Sequence, residues 1–153
     1  MTIRQAQDKK QDCDMVFYLS NDPLVRACSF NSNQIEYENH CKWFENTIKD
    51  KNTLFFLIFD DDNFVGQMRF NREIENSINC IISLSITKEY RGKHIASDFL
   101  QLGIEALVKK WYNIKSITAE VKEENLASNK LFLKNNFELI KQDTYNSYRL
   151  MVR

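Results

Sequence analysis

The chain has 153 residues, 43% of them apolar and 12% aromatic, which supplies a core for one packed domain and excludes a disordered chain. Its 21 basic and 21 acidic residues cancel without any concentrated basic stretch, so no nucleic-acid partner is expected. No run approaches the roughly 18 apolar residues of a membrane span, and the opening MTIRQAQDKK lacks an apolar signal core, so a cytoplasmic protein with no membrane partner is expected.

In chain order, TIRQAQ reads as a short opening strand. Residues 12–20 read as a short helix that ends before SNDP, where Pro23 discourages continuation. From Gln34 to Lys49, Tyr37, Cys41, Phe44 and Ile48 recur at helical spacing, with Asn33 and Glu36 placed like a capping box. TLFFLIF (53–59) is a buried strand, DDDN a tight turn, FVGQMRFN (64–71) its hairpin partner and INCIISLSI (78–86) a third strand, together a meander. The 89–100 segment opens a helix running to about Lys110, KSITAEV (115–121) alternates as a strand, and 125–135 is helical. Two strands near 137–142 and 147–152 close the chain.

Strand, helix, strand implies a parallel pair joined by a right-handed crossover. The expected fold is therefore of α/β or α+β type, a mixed sheet of about six to seven strands with about four helices. One proline and three glycines leave no linker, repeat or low-complexity block, so residues 1–153 are expected to form a single domain. Cys13, Cys28, Cys41 and Cys80 are widely spaced and have only His40 and His94 as imidazole company. They predict no metal site, and each reads as a small buried hydrophobe kept reduced.

The segment EYRGKHIASDFL (89–100) joins a turn to a helix start, a junction that can hold an anion. It is not a Walker-type loop, because Thr87 occupies the required glycine position and His94 stands where Ser or Thr would hold magnesium. Nor is it a dinucleotide fingerprint, because it follows a meander instead of the first strand of a parallel unit.

ISLSITKEYRGKHIASDFL resembles the acyl-CoA loop of the GNAT superfamily of N-acetyltransferases, with pattern R/Q-x-x-G-x-G/A. Arg91 and Ala96 match and His94 replaces the glycine. Further on, EVKEENLASNKLFLKNNF resembles the second signature of that superfamily, N-x-x-A/S-x-x-L-Y/F-x-K-x-G-F. Asn125, Ser128, Leu131, Phe132, Lys134 and Phe137 match, and Asn136 stands in for glycine. Two signatures in the right order strengthen each other, and the element order of the whole chain agrees with the GNAT fold.

The resemblance implies acetyl-CoA as cosubstrate, no metal, and direct attack of a neutral amine on the thioester. It places the pyrophosphate on main-chain N–H groups of Gly92, Lys93, His94, Ile95, Ala96 and Ser97, after Arg91, with the helix dipole assisting. His94 is expected to be tolerated provided that its backbone is helical. Leu84, Ser85 and Ile86 are expected to splay from the neighbouring strand and to offer main chain to the pantetheine arm and the thioester carbonyl, and Asn125 to contact the cosubstrate near that arm. Phe132 replaces the tyrosine that often protonates the departing thiolate; Ser128, Tyr145 or Tyr148 could take its place. Glu120 stands five residues before Asn125, an interval at which several GNAT enzymes keep a glutamate, and strand alternation turns it away from the core, so it is the expected general base. Glu73, Glu75, Glu123 and His40 are the reserves.

SNDPLVRACSFNSNQIEYENHCKWF (20–44) resembles the N-terminal segment of GNAT enzymes of surface-sugar biosynthesis, which acetylate nucleotide-linked amino-sugars as in the pathways to pseudaminic acid. On that resemblance Arg26 would pair with a diphosphate and Phe30, His40 and Trp43 would cover a sugar or base. Core packing for Trp43 and a surface ion pair for Arg26 are equally open on the residues alone. The resemblance leaves two other functions in view: acetylation of protein N-termini of the ribosomal-protein type, and acyl-CoA binding without catalysis. A homodimer is compatible with the chain.

Overall fold

The computed structural model describes residues 1–152. The elements are β1 (Thr2–Gln5), α1 (Lys10–Ser20), α2 (Pro23–Cys28), α3 (Tyr37–Lys49), β2 (Thr53–Asp60), β3 (Asn63–Asn71), β4 (Asn79–Ile86), α4 (Ala96–Lys110), β5 (Ser116–Lys122), α5 (Leu126–Lys134), β6 (Glu138–Gln142) and β7 (Tyr145–Met151). A 3-10 turn at Lys88–Tyr90 precedes α4. The seven strands form one mixed sheet in the order β1-β2-β3-β4-β5-β7-β6, with β4–β5 the parallel pair.

β2 is apolar from Leu54 to Phe59 because the sheet is covered on both faces. Leu54, Phe56 and Ile58 pack with Met68, Phe70, Phe99, Leu100 and Leu107 under α4, while Phe55 and Leu57 pack with Cys13, Val16 and Phe44 under α1 and α3. Each such fully buried side chain contributes about 1.5–3 kcal/mol. α4 lies close enough to the sheet that a Cβ on Gly103 would overlap Met68 Sδ, which is why the helix carries a glycine in its interior.

Two expectations at the helices change. Pro23 does not merely end a helix; it sits at the start of a further one, α2, whose N-cap Asp22 accepts from the N–H groups of Leu24 (3.0 Å) and Val25 (3.3 Å). Proline suits that position because its missing N–H would have had no partner anyway, so there are five α-helices where about four were expected. α3 starts at Tyr37, and its N-cap Glu36 makes no side-chain cap bond, so the Asn33–Glu36 capping box does not form. The cysteines also differ from expectation, since Cys28 and Cys41 are half-exposed while Cys13 and Cys80 are buried. Burial pushes the thiols of Cys13 and Cys80 up to about 12, leaving neither as a ready nucleophile.

The feature that positions the site is where β4 and β5 part. Their register runs from Asn79 opposite Ser116 to Ile82 opposite Ala119 and stops there. Beyond it Leu84, Ser85 and Ile86 pair only with β3, and Glu120 to Lys122 pair only with β7. β3 approaches β4 closely at this end, where a Cβ on Gly66 would overlap the Ser85 carbonyl oxygen.

Candidate active site

The parted strands form a cleft with main chain on both sides. Leu84, Ser85 and Ile86 are half-buried along one edge, their donors and acceptors toward β5 left free of a partner strand. Glu120 lies exposed on the other edge, in register with Ser147 of β7. Its neighbour on the same face, Lys122, donates to the Ala27 carbonyl of α2 at 3.0 Å, so that α2 overlooks the cleft from the face that α1 and α3 also cover.

The loop leaving β4 carries a run of unpartnered main-chain donors. Among the described residues, none of the N–H groups from Gly92 to Asp98 has an acceptor within the chain, and the N-cap Ile95 carries no capping oxygen. Gly92 (φ 75°) and His94 (φ 59°) both adopt left-handed backbone just before the N-terminus of α4, and left-handed residues within a turn are a feature of main-chain anion nests. Such a run of donors at a helix start suits a phosphate. The condition under which His94 was expected to be tolerated, a helical backbone, is not met: it keeps left-handed backbone of the kind glycine favours, with its side chain out in solvent. Histidine enters this region more readily than most residues, at a cost of about 1 kcal/mol. Asn136, the other substitute for glycine, repeats the pattern at φ 68° just after α5.

Arg91 engages its side chain elsewhere than at the loop's free donors. Its Nε donates to the Ile86 carbonyl at 2.9 Å and its guanidinium pairs with Asp22 at 3.0 Å, fastening the loop both to the end of β4 and to the cap of α2. Burial acts to raise the Asp22 carboxyl, but Arg91 and the two capping N–H groups outweigh it and hold Asp22 below the usual carboxylate range. Lys93 places its ammonium 5.2 Å from the centre of the Tyr90 ring, adding positive charge beside the loop.

At the start of α5, Asn125 is the N-cap, its Oδ1 accepting from the N–H of Ser128 at 3.2 Å. The Ser128 hydroxyl has no hydrogen-bond partner among the described residues. Tyr148 is buried and gives its O–H to Asn129 Oδ1 at 2.5 Å, so that proton is committed; Asn129 in turn holds the β5–α5 turn through the Asn125 carbonyl at 2.8 Å. Phe132, at the position of the missing tyrosine, stacks on Tyr148 with ring centres 6.1 Å apart. Of the reserve bases, Glu73 and Glu75 fall in the loop between β3 and β4, at the end of β4 away from the cleft, and Glu75 pairs with Lys51 at 3.1 Å. Glu123 is exposed just past β5.

On the face under α1 and α3 a cavity of about 330 Å³ is lined by Ser20, Arg26, Ile35, Asn39, His40, Trp43 and Arg69. It brings together three of the residues singled out in the sequence, Arg26, His40 and Trp43. Phe30 is not among them; it is 59% exposed and meets Tyr145 edge-on at 5.3 Å, over the cleft end of β7. Arg26 is heavily engaged, donating to the carbonyls of Ser20 (2.6 Å), Asn31 (2.9 Å) and Asn33 (3.2 Å), so it shapes the cavity wall as well as charging it. His40 is buried, with Nε2 2.9 Å from the Cys13 carbonyl, which requires Nε2 to carry the proton. Burial, seconded by the nearby Arg69 charge, lowers its pKa and keeps the ring neutral. Arg69 was missed in the sequence: within FVGQMRFN it reads as a polar position of a strand, and the one available signal was a cation between two apolar neighbours, Met68 and Phe70.

A strand-parted mixed sheet, an anion-receiving turn at the head of a crossover helix and a second helix beginning at an asparagine cap define an acyl-CoA-dependent transferase fold. The family described as "Acetyltransferase (GNAT) domain" matches residues 1–138, and the chain belongs to it. The protein is accordingly an acetyl-CoA-dependent N-acetyltransferase. In sequence it is similar to the acetyltransferase PseH of Campylobacter jejuni subsp. jejuni serotype O:2, 22% identical over 138 residues that cover 90% of this chain and 84% of that protein. In structure it is similar to the ribosomal-protein-alanine N-acetyltransferase of Brucella melitensis (TM-score 0.80, 19% identity, 99% of this chain and 100% of that one). It is also similar to yncA of Salmonella typhimurium with its cofactor acetyl-CoA (TM-score 0.82, 17% identity, 100% and 94% covered). Campylobacter jejuni PseH in complex with acetyl coenzyme A gives a TM-score of 0.76 at 17% identity, with 99% and 100% covered. No group of three His, Cys, Asp or Glu side chains among the described residues could hold a metal ion, and no helix is long and apolar enough to cross a membrane.

Proposed function

We propose that the acceptor is the primary amine of a nucleotide-linked amino-sugar, acetylated directly from acetyl-CoA. The observation that carries this reading is the cavity of Arg26, His40, Trp43 and Arg69, cationic and aromatic together and free of carboxylates. A diphosphate asks for guanidinium groups and a sugar or base face asks for an aromatic wall. The similarity to PseH and the match of residues 20–44 to amino-sugar enzymes point the same way. A peptide N-terminus brings no diphosphate for the two guanidinium groups.

In this reading the pyrophosphate of acetyl-CoA takes the free N–H groups of Gly92 to Ser97, and its pantetheine arm lies against Leu84–Ile86 and the Nδ2 of Asn125. The amine approaches from the α1–α3 face, where Glu120 stands at the cleft edge. Nitrogen attacks the thioester carbonyl carbon, the carbon–sulfur bond breaks, the surplus amine proton passes to Glu120 and the thiolate leaves, taking a proton from water, directly or through the unengaged Ser128 hydroxyl as that hydroxyl recovers one from water. A thiol of ordinary pKa near 8.5 is a good leaving group, so the absence of the tyrosine at Phe132 costs little.

Mass spectrometry of products after incubation with acetyl-CoA and a panel of nucleotide-linked amino-sugars, free amino-sugars and peptides tests the reading. An added acetyl group on a nucleotide-linked sugar is expected; efficient acetylation of peptide N-termini with none of any nucleotide sugar would overturn it.

A further inference from the structure

Arg69 is a cation without a counterion. It lies on β3 between Phe55 of β2 and Ser83 of β4, on the face under α1 and α3. Its guanidinium sits over the Trp43 ring at 4.8 Å and 5.7 Å from the Phe55 ring centre. No carboxylate pairs with it among the described residues, and its Nε is buried without an acceptor. Burial pushes the group down to about 10, which still leaves it charged at neutral pH. The residue as a whole is half-buried at the cavity wall, and contact with two aromatic faces does not replace a counterion for its buried Nε edge. A structure that retains such a group beside an open cavity is suited to an anion arriving from outside.

Nothing else in the cavity competes for that role. The lining holds no Asp or Glu, His40 is held neutral although Asp14 acts on it from outside the lining, and the other cation of the lining, Arg26, is largely bonded to carbonyls of its own segment. The position of Arg69 also sets a distance. It is directly across from Ser83, and Ile86 is three residues further along β4, so its Cα is about 10 Å or slightly more from the end of β4. With the reach of the side chain added, a separation of that order admits an acceptor whose amine and phosphate stand on opposite sides of a sugar ring.

We propose that Arg69 is the specificity-determining residue of the acceptor cavity, its guanidinium receiving a phosphate oxyanion that the acceptor carries one sugar ring away from the reacting amine. This rests on the amino-sugar reading above and adds to it the residue and the chemical group that are recognised.

The test compares wild type with Arg69→Met, which keeps length and apolar contact with Trp43, and with Arg69→Lys, which keeps charge but not the planar fork. Acetyl-CoA affinity and thermal melting serve as controls for the fold. Wild-type kcat/KM is expected to be at least a hundredfold higher for a UDP-linked amino-sugar than for the same free amino-sugar. Arg69→Met should lose at least tenfold on the UDP-linked acceptor, through KM, a loss at least tenfold larger than its loss on the free sugar, with Arg69→Lys between. Inorganic pyrophosphate should inhibit wild type competitively with the acceptor and Arg69→Met at least tenfold more weakly. Equal use of both acceptors by wild type, or an equal loss on both in Arg69→Met, would overturn the proposal while leaving the amino-sugar reading in place. If an amino-sugar 1-phosphate replaced the nucleotide-linked compound as best substrate and kept its dependence on Arg69, the nucleotide would be dropped and Arg69 would stand. If no amino-sugar were acetylated at all, titration calorimetry with pyrophosphate would decide Arg69 alone: binding lost in Arg69→Met supports it, and no binding to wild type overturns it. Should Arg69→Met fail to fold, the Arg69→Lys comparison and wild-type inhibition by pyrophosphate separate the same outcomes.

Discussion

Exchanging Glu120 for glutamine tests the chemistry at the cleft with little disturbance of the fold. The residue is exposed at the edge where β5 has left β4, and glutamine preserves its shape and its place opposite Ser147, so stability should change by less than about 0.5 kcal/mol. A positioned general base contributes typically 10²–10⁴-fold. The exposure of Glu120 favours the lower end, because water reaching the same edge can accept the proton in its place. A fall in kcat on the order of a hundredfold at pH 7, about 2.7 kcal/mol of barrier, is therefore expected, with acetyl-CoA affinity retained. The loss should shrink as pH rises and more of the acceptor amine is already deprotonated. Thiol release from acetyl-CoA, followed across pH with a saturating acceptor, measures this directly. A mutant pH–rate profile that overlays the wild type removes Glu120 from the mechanism and turns attention to Glu123 and His40.

Gly92→Pro, which imposes a negative φ where the loop has +75° and deletes an unpartnered N–H, should weaken acetyl-CoA binding by at least tenfold in titration calorimetry; His94→Gly, which relaxes a φ of +59°, should leave it within a few-fold. The reverse ranking would refute main-chain phosphate binding. Arg26→Ala removes bonds to the carbonyls of Ser20, Asn31 and Asn33 and should cost about 1–3 kcal/mol of stability by chemical denaturation while raising acceptor KM and sparing the KM for acetyl-CoA. Asp12 is buried, which alone would raise its pKa, yet its bidentate pair with Arg4 (2.7 and 2.8 Å) and the Gln7 N–H hold it below the ordinary value. A depressed folded-state pKa stabilises above the unfolded value and the contribution disappears as pH falls through the folded one, so Asp12→Asn should cost about 2 kcal/mol near pH 7 and almost nothing at acid pH below that folded value. A pH-independent loss would assign the effect to packing instead.

The sequence by itself determined what local chemistry can encode. Element order followed from periodicity, with the continuous apolar run of β2 and the alternation of β5 both legible, and the two signatures around Arg91 and Asn125 marked the ends of the cleft before any fold was known. It failed where one residue has two local meanings. Pro23 can stop a helix or start one, and the choice rested on whether Asp22 was placed to cap α2. His94 could be helical or left-handed, and the chain curled it into the glycine conformation because the turn from β4 into α4 demands that path. Only the tertiary structure decided the order that inserts β7 between β5 and β6, and the point at which β4 and β5 separate, since strand pairing is set by contacts between segments distant in the chain. The same holds for Arg69. Strand alternation indicates which face it takes, but whether a partner waits there depends on what α1 and α3 bring over that face; they set Trp43 against it and, among the described residues, no carboxylate within pairing distance, and that makes a cation on a strand a candidate recognition group.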